Sequence, residues 1–380
     1  MTGLPRVGVG LHLLSYPRAR AGGLGTYERM LAAHLPAAAA GRADVVLFVG
    51  RDGEGIPSQV AAHRSALPLA SRAVRIPYEQ LALPVAGRRR GLDVFHFCDQ
   101  AVSAVAPAPR TVVTVHDLAM VRLPETFGSR RATYKTAMTR RAVARASLVI
   151  ADSGATKDDL VALLGADPAC VRVVPLGVEP RFAAAGEAEA AAATRALGLT
   201  EPYLLYVGRL EPRKNLPVLV DAYARARRRH GVTASLVLAG SPSWLDEDLP
   251  ARASAAGVGD HVRLIGHVPD GLLPGLLHGA VGVAYPSRYE GFGLPVLEAM
   301  AAGTAVVTSS VSSLPEVAGD ATLLVDPDDV DGLAEALGRL EGDGALRTQL
   351  AAAGRVRAAG FTWERTAAET VAVYLEAAAT

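Results

Sequence analysis

The sequence predicts an α/β protein made of two parallel-sheet domains, and three observations predict it. Short apolar, β-branched runs alternate with longer helix-forming stretches through both halves of the chain, as parallel strands alternate with their crossover helices. At 380 residues the chain exceeds the size at which one hydrophobic core keeps growing, so two domains are expected. Hydrophobic residues make up 50% and charged residues 20%, enough apolar surface to fill both cores. No period of the length that marks a repeat array recurs.

In order, residues 7–14 read as the first buried strand. Gly22-Gly-Leu-Gly25 comes next as a tight turn, and a helix runs from Thr26 to about Ala39. Glycine-rich turns between strand and helix contact phosphates in many α/β folds, although any tight turn needs glycine. Residues 44–49 form a second strand, residues 50–72 are loop-rich, and residues 75–83 read as a helix. Arg88-Arg-Arg90 is a solvated tip before the strand at 93–97. Arg110–Val115 is strongly β-branched, and His116-Asp117 stands at its carboxyl end, where ligands bind in open α/β sheets. His116 is therefore a functional candidate, and Asp117 a cap of the next turn. In a helix over residues 128–145, Arg130, Arg131, Lys135, Arg141 and Arg145 share one arc. Without large apolar anchors this reads first as a solvated face, and second as a peripheral contact for anionic lipid. Leu148–Ala151 is a strand, with Ser153 as the cap of a helix after it. Residues 171–177 close the first domain, and residues 182–196, rich in Ala and Glu without an apolar stripe, read as a linker.

The second half opens with the strand Tyr203–Val207, then Gly208-Arg209 and Glu211-Pro-Arg-Lys-Asn215 at the start of a helix reaching about Arg229. Arg209 and Lys214 sit where both reach an anion. An arginine forks across two oxygens and a lysine acts as a point charge. Residues 235–240 and 261–266 are strands, 244–256 and 272–278 helices. Residues 281–285 are a buried strand that ends at Pro286. A loop with Glu290, Gly291, Phe292 and Gly293 leads into a helix at Leu294-Pro295, with proline in the first turn. Glycines admit a ligand to the backbone, and the helix start suits a phosphate. Glu290 in the loop and Glu298 one turn inside the helix flank that place. Carboxylates repel phosphate, so beside one they accept hydrogen bonds from neutral hydroxyls. A phosphate flanked by hydroxyl readers describes a sugar nucleotide. Strands at 305–309 and 322–325 and helices at 330–341, 345–358 and 362–378 complete the chain.

Glu290-Gly-Phe-Gly-Leu-Pro-Val-Leu-Glu298 resembles the two-glutamate motif of the retaining, GT-B-fold glycosyltransferases of family 4. Ser312-Ser-Leu-Pro-Glu316 and Gly208-Arg-Leu-Glu-Pro-Arg-Lys-Asn215 are similar to the mannosyltransferase-like branch of that family, and the resemblance spans nearly the whole chain. It implies two Rossmann-like domains facing a central cleft. The acceptor-side domain is placed at 1–182, a linker at 183–200 and the nucleotide-sugar domain at 201–362. A last helix, 363–380, crosses back in such folds. It further implies that His116 contacts the transferred sugar, Gly23 and Gly25 line the diphosphate, and backbone near Val268 holds the base. Glu290 binds sugar hydroxyls, the N–H groups of Phe292, Gly293 and Leu294 hold sugar and phosphate, and Glu298 binds the ribose. Arg213 could point away and is left out of this set. His96-Phe-Cys-Asp99 departs from the His-Ser-Pro run that such proteins carry after this strand, which weakens any acceptor assignment.

The expected reaction moves a hexose, mannose favoured with GDP-mannose as donor, to a hydroxyl acceptor: a saccharide, a lipid-linked saccharide or a small aglycone. No Asp-x-Asp tract lies in a suitable place, so no metal and no cofactor is expected, and Arg209, Lys214 and the helix start replace a divalent ion as the charge clamp. No carboxylate is an evident nucleophile, which favours front-side transfer over double displacement. A formal net charge of +1 argues against nucleic acid as the partner. Two distant cysteines fit no metal spacing and suit a reduced cytoplasm. Neither a signal peptide nor a spanning helix is evident. Three rivals remain: an epimerase on the same scaffold, a silent sugar-nucleotide sensor, and a dinucleotide-dependent dehydrogenase, whose fingerprint the spacing of Gly22 to Gly25 does not match.

Overall fold

The computed structural model describes residues 6–14, 22–51, 60–69, 71–100, 102–241 and 248–380. The chain divides into two compact units, residues 1–177 with 362–380, and residues 178–361.

In the first unit the described strands are β1 (Val7–Leu13), β2 (Ala43–Val49), β3 (Ala61–Arg64), β4 (Val94–Phe97), β5 (Arg110–Val115), β6 (Leu148–Ala151) and β7 (Val171–Val173). They form one sheet in the order β3-β2-β1-β4-β5-β6-β7, paired in parallel throughout. Leu11 stands opposite Leu47 on one side and His96 on the other. Helices cover both faces of such a sheet, so its strands are apolar runs with no polar alternation. Leu11, Leu47, Phe95, Val113 and Val149 are buried accordingly. Each such side chain contributes roughly 1.5–3 kcal/mol by leaving water.

The second unit repeats the plan with β8 (Tyr203–Val207), β9 (Ser235–Ala239), β10 (Val262–Gly266), β11 (Gly282–Tyr285), β12 (Val306–Ser309) and β13 (Leu323–Val325). Its order is β10-β9-β8-β11-β12-β13, again parallel. In both sheets the chain runs outward one way from the first strand and then returns to its other side. The reversal falls between β1 and β4, and between β8 and β11. Ligands of open α/β sheets bind outside the carboxyl ends of the strands at that switch point.

Several local expectations need correction. The first long helix is Gly22–Ala39, so the glycine run forms its opening turn and is not a loop before Thr26. The first N–H groups of a helix have no intrahelical acceptor, which is where glycine weakens a helix least. The stretch read as loop contains β3, an edge strand of Ala-Ala-His-Arg with little intrinsic strand preference. The helix expected over 75–83 is longer: Arg72–Pro77, a π turn over Tyr78–Ala82, then Leu83–Arg89, which takes Arg88 and Arg89 into its last turn. Ser153 does cap a helix, Gly154–Leu164, with its hydroxyl accepting from Thr156 N at 3.1 Å. Of the helix expected over 244–256, residues 244–247 lie outside the described residues, and the rest is Leu249–Ala255.

The expected linker over 183–200 is also built differently. Most of it is the helix Glu187–Ala196, which belongs to the second unit and packs on the helix Leu273–His278. The contact is close: a Cβ on Gly275 would lie 2.2 Å from Glu189 O. Small residues let two helices meet without a broad apolar stripe, and the missing stripe is what made the segment read as a linker. The boundaries fall after Gly177 and Phe361, and the terminal helix Trp363–Ala379 is part of the first unit. There it packs on Gly22–Ala39, and Tyr374 Oη lies 2.7 Å from His96 Nδ1.

Candidate functional site

Among the described residues of the second unit, the buried charges gather at its switch point. β8 ends at Val207 and leads to Arg209, Glu211 and a 3₁₀ turn, Pro212–Lys214. Asn215, left-handed at φ 60°, then starts the helix Leu216–His230, and its Nδ2 donates to Pro327 O at 2.5 Å. β11 ends at Tyr285 and leads to Ser287, Tyr289 and Glu290. Two backbone ties join these loops: Arg288 N donates to Arg213 O at 2.8 Å, and Ser287 Oγ donates to the same oxygen at 3.1 Å.

Within this frame the charges form a chain. Lys214 Nζ lies 2.5 Å from Glu290 Oε1 and 2.5 Å from Tyr285 Oη. Tyr285 Oη in turn donates to Glu290 Oε1 at 3.1 Å, and its ring stacks on Tyr206. Arg213 Nη1 donates to Glu290 Oε2 at 2.8 Å and to Tyr289 O at 2.9 Å. Glu211 is shared by Arg213 Nε at 3.1 Å and Arg209 Nε at 3.3 Å. Three cations thus face two carboxylates and leave a net positive charge. Lys214, Glu211 and Glu290 are buried, whereas the Arg209 side chain is 55% exposed and open to a ligand. Burial alone would raise the Glu290 carboxyl. Arg213 and then Lys214 outweigh it and hold its pKa at about 2.

The loop after Glu290 is pinned from the next strand's loop. Glu290 N donates to Ser312 Oγ at 3.0 Å, and the Ser313 hydroxyl reaches Glu290 O and Phe292 O at 2.9 and 2.8 Å. Gly293, at φ 112°, turns the chain into the helix Leu294–Ala301, which no side chain caps. Its opening turn therefore remains a favourable seat for an anion. Phe292 is buried against Phe361, Glu298 is half-buried one turn inside, and Val268 is buried just after β10.

The other predicted residues lie in the first unit. His116 comes directly after β5; its Nδ1 donates to Asp152 Oδ2 at 2.7 Å and its Nε2 to Cys98 O at 2.8 Å. Both ring nitrogens face acceptors, so the ring is held as an imidazolium. Burial works against that charge, but Asp152 prevails and raises the pKa to about 9. A hydrogen bond from His116 to a sugar would have to displace one of these partners. The Cys98 contact uses the backbone carbonyl, so the departure at His96-Phe-Cys-Asp99 leaves it intact. Asp117 Oδ1 accepts from Ala119 N at 3.0 Å, the capping role expected of it. Gly23 is exposed and Gly25 half-buried at the helix start.

Sequence reasoning missed four groups. Arg213 was left out because it could point away from the site; here it is 15% exposed and bound to two carboxylates. Glu211 and Tyr285 complete the chain, and the charge alternation Glu211-x-Arg213 was the available signal. The fourth is Glu28, on the first unit's opening helix. It is 3% exposed, and burial, then Asp99, raise its pKa to about 7 against the fields of His12, His116 and Arg75. Among the described residues no group of three His, Cys, Asp or Glu is placed to hold a metal ion. No helix among them is long and apolar enough to cross a membrane.

Residues 189–357 match the model of the glycosyl transferases group 1, and residues 21–182 that of glycosyltransferase family 4. O-antigen chain mannosyltransferase B of Escherichia coli is 33% identical over 266 residues, 70% of each chain. This chain belongs to glycosyltransferase family 4. The glycosyltransferase is also 37% identical over 285 residues to a D-inositol 3-phosphate glycosyltransferase of Salinispora arenicola, covering 70% of the chain and 64% of that relative. Its fold is GT-B: a sucrose-phosphate synthase from Thermosynechococcus elongatus superposes with a TM-score of 0.74 at 24% identity, over 98% of this chain and 99% of that one.

Proposed function

We propose that this glycosyltransferase moves a hexose, mannose before others, from a nucleoside diphosphate sugar to a hydroxyl acceptor, with retention and without a divalent metal. The observation that carries the reading is the cationic chain Arg209–Glu211–Arg213–Glu290–Lys214 at the second unit's switch point, beside an uncapped helix start. Departure of a nucleoside diphosphate places negative charge on its phosphates, and preorganised cations and helix dipoles aimed at that charge lower the barrier. Arg209 is exposed enough to meet the diphosphate directly. Lys214 is bound to Glu290, so the incoming phosphate has to compete with that carboxylate for it. Glu290, relieved of part of its ion pair, accepts from hydroxyls of the transferred sugar, and Glu298 from those of the ribose. The electron pair of the broken C1–O bond leaves with the diphosphate. The acceptor hydroxyl passes its proton to the oxygen of the departing diphosphate as the new C1–O bond forms on the same face.

Mannose is favoured because the Escherichia coli relative is a mannosyltransferase. GDP-mannose is accordingly the first donor, and no cofactor is proposed. The acceptor class stays a saccharide, a lipid-linked saccharide or a small aglycone. A cytoplasmic setting is proposed; the basic face of the helix Ser129–Arg145 is read first as solvated and second as a peripheral contact for anionic lipid. Vesicle co-sedimentation that does not depend on anionic lipid removes that contact. The test of the reading is a thermal-shift and turnover panel of GDP, UDP, dTDP and ADP with their sugars, with and without a chelator. Stabilisation by a nucleoside diphosphate and chelator-resistant transfer support it. No stabilisation by any member, or isomerised donor without transfer, overturns it.

A further inference from the structure

We infer that Arg213 is a positioning residue: it holds the Glu290 carboxylate in place while Lys214 is drawn to the donor's diphosphate. The inference rests on the nucleotide-sugar reading above and adds a role for a residue to which the resemblance gave none.

Three observations carry it. Arg213 is fixed at both ends to the loop it would position. Its backbone carbonyl accepts from Arg288 N and Ser287 Oγ, and its Nη1 donates to Tyr289 O and Glu290 Oε2. It is also the link between the two buried carboxylates, with Nε on Glu211 and Nη1 on Glu290. Lys214 holds only the other oxygen of Glu290, and an ammonium is a point charge that fixes no plane. A planar guanidinium sets the direction of its partner as well as its charge.

These differences assign separate tasks to the cations. When a diphosphate recruits Arg209 and Lys214, Glu211 and Glu290 each lose one cationic partner. Arg213 is then the partner that keeps both ionised and keeps Glu290 aimed at a sugar hydroxyl. Tyr285 Oη also donates to Glu290, but it is a neutral donor. Because Nε and Nη1 of Arg213 are committed to carboxylates and a carbonyl, its removal acts on the position of Glu290 and leaves the diphosphate contacts in place. A misplaced reacting group costs about a hundredfold in rate.

The test compares the full chain with Arg213→Gln, Arg213→Lys and the charge-balanced pair Glu211→Gln/Arg213→Gln. GDP affinity is read by calorimetry, and kcat, KM and their pH dependence with GDP-mannose and a synthetic mannoside acceptor. Arg213→Gln should lower kcat roughly 10- to 100-fold while GDP affinity stays within about threefold. The acid limb of kcat/KM should move to higher pH as Glu290 loses a cation. Arg213→Lys should recover part of kcat. The charge-balanced pair, which leaves no lone buried carboxylate at 211, shows the same split if Arg213→Gln alone does not fold. An unchanged kcat, or a loss of GDP affinity equal to that of Lys214→Ala, overturns the inference while the nucleotide reading stands. A wild-type chain that binds none of GDP, UDP, dTDP and ADP and turns over none of their sugars overturns both.

Discussion

At the scale of single residues the charged side chains divide the labour. In the proposed reaction Lys214 and Arg209 supply charge to the leaving group. Lys214→Ala and Arg209→Ala should each lower kcat/KM for transfer by about a hundred- to a thousandfold, the usual effect of removing one preorganised contact. Near-normal transfer by either variant removes it from the clamp. Glu290→Gln tests the opposite sign. It removes the carboxylate that holds Lys214 at 2.5 Å in the ligand-free state, so GDP affinity should stay or increase while transfer falls. The same change leaves the buried Arg213 and Lys214 with a neutral neighbour. Unfolding by denaturant should show a loss of about 3 kcal/mol, the scale for breaking a buried pair on one side.

At the scale of elements the site depends on two turns that few residues can make, at Asn215 (φ 60°) and at Gly293. Gly293 has φ 112°, and a Cβ there would lie 2.8 Å from Leu314 Cδ2. Gly293→Ala should lower stability by about 1–3 kcal/mol and weaken nucleotide binding together, because the strained turn aims the helix start. Calorimetry and thermal unfolding of the one variant check both effects. A change in stability alone would mean that the turn does not touch the ligand. The elements also show what was legible in the sequence. Apolar runs bounded by glycine and proline marked β8, β11 and β12, and the motif from Glu290 to Glu298 placed the loop and the helix correctly. β3 was hidden because an edge strand of four weakly apolar residues carries no pattern. The helix Glu187–Ala196 was hidden because alanine packs closely while showing no amphipathic stripe. Arg213 was hidden for a different reason. Its direction is set by the 3₁₀ turn at Pro212–Lys214 and by backbone ties to a loop some 70 residues later, and neither is a local signal.

At the scale of the whole molecule the titrating groups give stability a direction in pH. His116 and Glu28 bind their protons more tightly folded than unfolded, with pKa values raised to about 9 and about 7. A raised group contributes its full stability below its unfolded pKa and loses it as pH rises through the folded one. Glu28 therefore loses its contribution between about pH 4.5 and 7, and His116 between about 6.5 and 9. Glu290, held at about 2, contributes fully above about 4.5 and loses its contribution as pH falls through 2. The buried His96 ring, held down to about 3, works the other way and gains stability as pH rises from about 3 to 6.5. It opposes Glu28 over that window, so these groups place the decline above about pH 6.5, toward pH 9, in a thermal-unfolding series at constant ionic strength. Glu28→Gln should remove its falling contribution and so make the slope of stability against pH more positive between 4.5 and 7. An unchanged slope would mean that the Glu28 carboxyl titrates alike in the folded and unfolded chain. The parallel order of both sheets was legible in composition and alternation. The two switch points became visible only with the strand order, and the second of them joined Arg209, Lys214 and Glu290 in one ion-pair chain.

The most direct test is calorimetric titration of GDP, in chelator-treated buffer, into the wild-type chain and into Arg209→Ala/Lys214→Ala. The charge clamp predicts saturable binding without any divalent metal, weakened about tenfold or more in the double variant. Equal affinity in the two proteins, or binding that appears only when a divalent metal is restored, would contradict it.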